Sequence, residues 1–307
     1  MILTVCANPS VDSFWSFFDI NKATTNRSQQ EKYFPGGKGL HTAFALAELD
    51  QEVTTLGVWG GQTGQWLRRQ CNQKNISTIG PTVEPWNRLC ITVKSDSEWS
   101  ETEFLGQGPQ LSRETVKNFK KAYKECISQN EIAAIIISGS VPAGFPDDIY
   151  FDLVAEASRQ HVPVFVDASG DLLSKAITAH PLGIHINHKE GQALSKKENP
   201  VEIAKWLSEH CDIAALTAGA EGLFLVFQNK ILHAHYSIDD ADIFSTIGCG
   251  DCLLAGLSLA YLKNDELSHW ARYAVACGSA NCLHPALGML RAEDVEEIIP
   301  KVTVIEK

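Results

Sequence analysis

Short apolar runs rich in β-branched residues recur along the chain, at Ile2–Cys6, Ala133–Ile137, Val162–Val166, Ile213–Leu216 and Leu223–Phe227. Each has the length and texture of a strand buried on both faces. Between several of them the apolar positions recur at helical spacing instead, as with Leu40, Ala43, Phe44 and Ala47, and again with Leu153, Val154 and Ala157. Strands alternating with helices predict an α/β fold with a doubly wound, mostly parallel sheet. Polar residues with chemical potential stand where those strands end: Asp12, Ser138 to Ser140, Asp167, Asn187 and Thr217-Ala218-Gly219. Open α/β sheets bind ligands outside the carboxyl ends of their strands, so one crevice is expected to collect these residues. Two segments break the rhythm. Ser13–Tyr33 carries Phe14-Trp15 and Phe17-Phe18, and Trp86–Gly106 carries the strand-like Leu89-Cys90-Ile91-Thr92-Val93 with a second short run at Thr102–Leu105. They are expected to pair into a small β-sheet projecting from the core.

Length and composition narrow the classes. At 307 residues an α/β chain buries a large core without disulfides or metals. A formal net charge of -11 argues against nucleic-acid and anionic-membrane partners. The nine cysteines follow no disulfide spacing and several sit in apolar runs, which suits reduced thiols in a cytosol. No basic-then-apolar leader opens the chain and no apolar stretch reaches membrane-spanning length, so a cytoplasmic protein is expected.

The densest chemistry lies in Ser245-Thr246-Ile247-Gly248-Cys249-Gly250-Asp251, which runs into the apolar Cys252-Leu253-Leu254-Ala255-Gly256. At a helix start the first N–H groups are unpaired and the peptide dipoles add positive potential, so a glycine turn there cradles an anion. A carboxylate beside such a cradle takes a proton from an attacking hydroxyl while phosphoryl charge is held by N–H groups. The plain alternative is a glycine turn with Asp251 as helix cap. A second glycine cluster, Pro35-Gly36-Gly37-Lys38-Gly39-Leu40-His41, also opens a helix; it is not a P-loop, since Gly-x-x-x-x-Gly-Lys-Ser/Thr is absent.

Together the two segments resemble the first and second signatures of the ribokinase-like, or phosphofructokinase-B, carbohydrate kinases. The resemblance extends from Asn8-Pro9-Ser10-Val11-Asp12 to Ala286-Leu287-Gly288. Ser138-Gly139-Ser140-Val141-Pro142-Ala143-Gly144 and Val166-Asp167-Ala168-Ser169-Gly170 look most like the hexose-phosphate branch, of the 1-phosphofructokinase and tagatose-6-phosphate kinase type. It implies a ribokinase-like fold with a core of residues 1–12, 34–85 and 107–307 and a β lid of 13–33 and 86–106, through which family members often dimerise. It implies Asp251 as catalytic base and Gly248, Cys249 and Gly250 as the anion hole. Asp12, Gly36, Gly37, Lys38, His41, Ser138 and Gly139 would contact the sugar, with Arg27 and Arg88 at its phosphate. ATP as co-substrate would lie along Asn187, Thr217, Gly219, Gly222, Gly248, Gly250 and Asn281. Asn187 and Glu190, in an Asn-x-x-Glu motif, would organise Mg²⁺; the same spacing also describes a helix capping box.

The chain departs from the family on the sugar side. His41 stands where Asn is usual, Cys90 and Leu105 stand where the lid usually offers Asn, and His185-Ile186-Asn187 replaces Lys-Pro-Asn. Lost amides of this kind, at about 1–3 kcal/mol for each unpaired buried group, are enough to change substrate choice. A kinase for an unphosphorylated sugar or nucleoside and a non-catalytic sugar- or nucleotide-binding protein therefore remain alternatives to a hexose-phosphate kinase. Cys249-x-x-Cys252 reads poorly as a redox motif so late in the chain. His185-x-x-His188 lacks a second half at zinc spacing and reads as structural.

Overall fold

A computed structural model of the protein describes residues 1–95 and 101–307, so residues 96–100 of the expected lid lie outside the described residues. A ten-stranded sheet forms the core, in the order Thr303–Glu306, Lys230–His235, Leu223–Phe227, Ile213–Thr217, Gly183–Asn187, Val164–Asp167, Ala134–Ser138, Ile2–Cys6, Val53–Gly57 and Ser77–Ile79. From Ile213–Thr217 to Ser77–Ile79 every pairing is parallel, and the remaining three are antiparallel. Side chains alternate between two apolar layers. Ile2, Ala134, Ile136 and Ile213 face a layer shared with the helices Lys38–Glu48, Cys249–Leu262 and Leu267–Leu283. Leu3, Val5, Ile135, Ile137 and Val166 face the layer shared with Arg113–Gln129 and Ile149–Ser158. The chain runs outward from Ile2–Cys6 to Ser77–Ile79, then returns to Ala134–Ser138 on the other side of the first strand. That reversal is the topological switch point, where such sheets bind ligands.

A second sheet of four strands has the order Gln30–Gly36, Ser10–Phe17, Arg88–Ser95 and Thr102–Leu105. It starts earlier and ends later than the aromatic segments alone indicate, so Asp12 and Gly36 lie inside it. The register aligns Phe34, Asp12, Cys90 and Leu105 in one row across the sheet, and hence on one face. Phe14 from this sheet lies 5.2 Å from the Phe244 ring, and Ser245 donates to Glu101 at 2.6 Å. The small sheet thus braces the segment that leads into the 248–251 turn. A short pairing of Trp59–Gly60 with Thr82–Val83 was not foreseen from the sequence. Among the described residues no helix is long and apolar enough to cross a membrane.

Candidate active site

Asp251 sits in the first turn of the Cys249–Leu262 helix, which is buried from Asp251 through Ala260. The helix is apolar on all sides because it packs between the Lys38–Glu48 and Leu267–Leu283 helices, and this fixes the depth of the carboxylate. Gly248 begins the turn at φ +86°, a left-handed conformation that costs glycine little. Cys249 N–H, the first of the helix, donates to the Thr246 carbonyl at 3.3 Å, while the Gly250 and Asp251 N–H groups that follow have no acceptor one turn back and remain available to an anion.

His41 joins this turn to the small sheet. Its Nδ1 lies 2.9 Å from Asp251 Oδ2, and its Nε2 lies 3.3 Å from Asp12 Oδ2. All three side chains are buried. Gly288 packs against the imidazole so closely that a Cβ there would overlap it. Gly36 is pressed in the same way against the Asp12 carboxylate. Burial alone would make the imidazole harder to protonate, but the two carboxylates outweigh it and raise its pKa to about 10. Burial acts against the charge on Asp12 too, yet the nearby His41 imidazole and the hydrogen bond from Ser10 Oγ hold its carboxyl below the usual range. At Asp251 burial prevails over His41 and the pKa is raised. The two carboxylates thus favour the protonated form of His41.

A second cluster forms beside the first. Asp167, fully buried at the end of its strand, accepts from Lys38 Nζ at 2.5 Å and pairs with His185 Nδ1 at 2.8 Å. Its burial disfavours charge, but the Lys38 ammonium and then His185 overcome this and hold its carboxyl well below the ordinary value. His185 Nε2 reaches Thr217 Oγ1 at 3.2 Å, and Gly139 N–H donates to the Asp167 carbonyl at 2.8 Å. A Cβ at Gly250 would meet the His185 ring. The 248–251 turn therefore runs between two carboxylate-bound histidines, His41 beside Gly248 and His185 beside Gly250.

Glu190 Oε1 is 3.9 Å from Lys38 Nζ. Its other oxygen accepts from Asn187 N–H at 2.9 Å, while Asn187 Oδ1 accepts from Glu190 N–H at 3.0 Å, a complete capping box. Ser138 Oγ is buried without a hydrogen-bond partner. Asn281 donates to the Met289 carbonyl at 2.7 Å and leaves its Oδ1 unpartnered and buried. Thr217, Gly219 and Gly222 lie on the turn between Ile213–Thr217 and Leu223–Phe227. Gly37 caps the Lys38–Glu48 helix.

The two arginines are placed differently from each other. Arg88 donates to the Asn8 carbonyl at 3.1 Å and the Gly106 carbonyl at 3.4 Å, between core and small sheet. Arg27 is exposed in the loop before Gln30–Gly36. Lys38 lies with Asp167 and Glu190 rather than with either arginine. The contribution of His185 was missed by sequence reading; the one signal available was its position two residues before the end of a strand.

A ten-stranded doubly wound sheet with a glycine turn and buried carboxylates at its switch point defines the class, and sequence comparison gives the family. The chain belongs to the pfkB family of carbohydrate kinases, whose model matches residues 7–290. It is 30% identical to 1-phosphofructokinase of Bacillus subtilis, over 99% of each chain. Identity to tagatose-6-phosphate kinase of Staphylococcus epidermidis is 26%, over the full length of both. The crystal structure of phosphofructokinase-2 from Escherichia coli superposes with a TM-score of 0.88 at 24% identity, covering 97% of this chain and 98% of that one. The expected ribokinase-like α/β fold and the carbohydrate kinase assignment both hold.

Proposed function

We propose that the protein transfers the γ-phosphoryl group of ATP to a hydroxymethyl group of a hexose phosphate, fructose 1-phosphate first and tagatose 6-phosphate second. The observation that carries this reading is the pairing of a buried carboxylate, Asp251, with a helix-start anion cradle at the sheet's switch point. His41 occupies Oδ2 of Asp251 and leaves Oδ1 to take the proton of the attacking hydroxyl. The N–H groups of the 248–251 turn hold the charge that develops on the phosphoryl oxygens, and Lys38 adds a cation beside them. Asp12 orients the sugar hydroxyls from the small sheet, as an ionised carboxylate accepts through both oxygens. Thr217, Gly219, Gly222 and Asn281 lie along the nucleotide.

Glu190 keeps Oε1 outside its capping box, and with Asn187 it fits an ion held mainly by water and phosphate oxygens. Mg²⁺ bound there would supply charge neutralisation on the ATP phosphates. Glu190→Gln keeps the cap acceptor and loses the charge, so the Mg²⁺ concentration for half-maximal turnover should rise while sugar affinity without nucleotide stays put. An unchanged Mg²⁺ titration would leave Asn187 and Glu190 as a helix cap alone.

Cys90 and Leu105 beside Asp12 favour a second reading, a kinase for an unphosphorylated sugar, because they make the sugar-facing sheet less polar. Kinetics of wild type and Arg88→Ala on fructose 1-phosphate and fructose separate the two. With a sugar phosphate as substrate, losing a charge-assisted contact should raise its KM roughly ten- to a hundredfold, with little effect on the KM for ATP or for fructose. Equal losses on both sugars, or a wild-type preference for fructose, would transfer the assignment to the unphosphorylated sugar. Self-association through the small sheet belongs to the same proposal: Tyr33 and Leu89 expose 52% and 48% of their surface on the face opposite Asp12. The free state of all nine cysteines suits a cytoplasmic setting.

A further inference from the structure

Cys249, the first residue of the helix that carries Asp251, does not pair with Cys252, its neighbour one turn on. Cys252 is buried, with its sulfur 3.8 Å from the Gly288 carbonyl. The Cys249 sulfur lies instead 2.8 Å from that of Cys282, at the end of the Leu267–Leu283 helix, and both residues are only partly buried. Cys282 is anchored on two sides. Its carbonyl accepts from Phe244 N–H at 2.8 Å, and its sulfur lies 3.5 Å from the Gly278 carbonyl. Gly278 in turn packs against the Cys249 carbonyl so closely that a Cβ would stand 3.1 Å from it. The two thiols therefore meet at the base of the 244–251 segment, with one sulfur on the anion-binding turn itself.

We propose that Cys249 and Cys282 are an oxidisable dithiol whose disulfide locks the 248–251 turn and stops phosphoryl transfer. The loss of activity rests on the kinase reading above; the disulfide does not. Hydrogen peroxide is the oxidant by class. The Cys282 thiolate attacks one peroxide oxygen, the O–O bond breaks, and the departing hydroxide is protonated to water. The Cys249 sulfur then attacks the Cys282 sulfenic sulfur, an S–S bond forms, the S–O bond breaks, and hydroxide leaves with the Cys249 proton as a second water. Two thiols lose two electrons and two hydrogens in all. Cys282 suits the attacking role because the Cys249 hydrogen bond holds its thiol below the usual range, whereas Cys249 is raised. The disulfide would link the first turn of one helix to the last turn of another, fixing a segment that must adjust around a transferred phosphoryl group.

The test treats the full chain with stoichiometric hydrogen peroxide, follows Mg·ATP turnover with fructose 1-phosphate, and maps disulfides by mass spectrometry of unreduced peptides. The expected result is a Cys249–Cys282 crosslink forming in step with loss of most activity, both reversed by dithiothreitol. Cys282→Ser should keep its own untreated rate under the same oxidant. A map without this crosslink, or with Cys249 joined to Cys252, overturns the proposal whether or not the chain phosphorylates that sugar. A crosslinked enzyme that still turns over, or a Cys282→Ser variant inactivated as fast as wild type, overturns its control of catalysis.

Discussion

Asp251→Asn is expected to fold and bind ATP as wild type does and to lower kcat by about 10²–10⁴-fold, the usual worth of a positioned general base. The substitution keeps the shape of the side chain and an oxygen that can accept from His41 Nδ1, so the bridge to Asp12 need not collapse. What it removes is the oxygen basic enough to take a proton from an alcohol, together with the negative charge beside the anion cradle. The KM for ATP should change little, because the proposed nucleotide positions run along the 187–222 side of the crevice. Thermal shift with ATP and steady-state kinetics on the same preparation separate folding, binding and chemistry. If the variant kept more than about a tenth of wild-type kcat, Asp251 would not be the base, since a loss confined to the transition state must appear in kcat.

The parts of the fold legible in the sequence are those set by local burial. Strands buried on both faces read as continuous apolar runs, and Ile2–Cys6 and Leu223–Phe227 have the ends their runs indicate. The rule that ligands lie beyond strand ends gathers Ser138, Asp167, Asn187 and Thr217 on one side of the sheet from strand positions alone. What the sequence withheld are contacts made between elements far apart in the chain. His41 and Asp251 are 210 residues apart and meet because two helices pack closely. Nothing local to His41 marks it as the link between two carboxylates; as a replacement for Asn it read only as a lost amide. His185 read as structural because its partner Asp167 stands 18 residues away on the neighbouring strand, and only pairing aligns them. The contact of Cys249 with Cys282 is hidden from the sequence for the same reason. Local spacing favours Cys249 with Cys252, whereas helix packing brings Cys249 to Cys282, 33 residues on.

The same bridge makes His41→Asn, the residue usual in the family's signature, the most diagnostic change on the sugar side. Asp12 and Asp251 raise the pKa of the His41 imidazole between them to about 10, so the proposed base, Asp251, stays charge-compensated across the neutral range. Asparagine supplies hydrogen bonds and no charge. Two buried carboxylates then face each other without a cation, and one of them must take up a proton at higher pH than before. Asp251 loses its role whenever that proton is on it, so the acid limb of kcat/KM should move upward. Activity of the variant at neutral pH should be about tenfold lower or worse and climb about tenfold per pH unit until the limb is passed, where wild type is flat. Stability should respond with a sign of its own. A histidine whose folded pKa is raised stabilises fully below its ordinary value near 6.5 and loses that contribution as pH rises through about 10. Between about pH 6.5 and 10 the wild-type urea midpoint should therefore fall through this imidazole, while the variant has none to titrate. Near neutral pH, removing the cation from a buried pair should cost about 3–5 kcal/mol. A variant whose kcat/KM profile keeps the wild-type acid limb would show that His41 packs the site without setting the charge of its base.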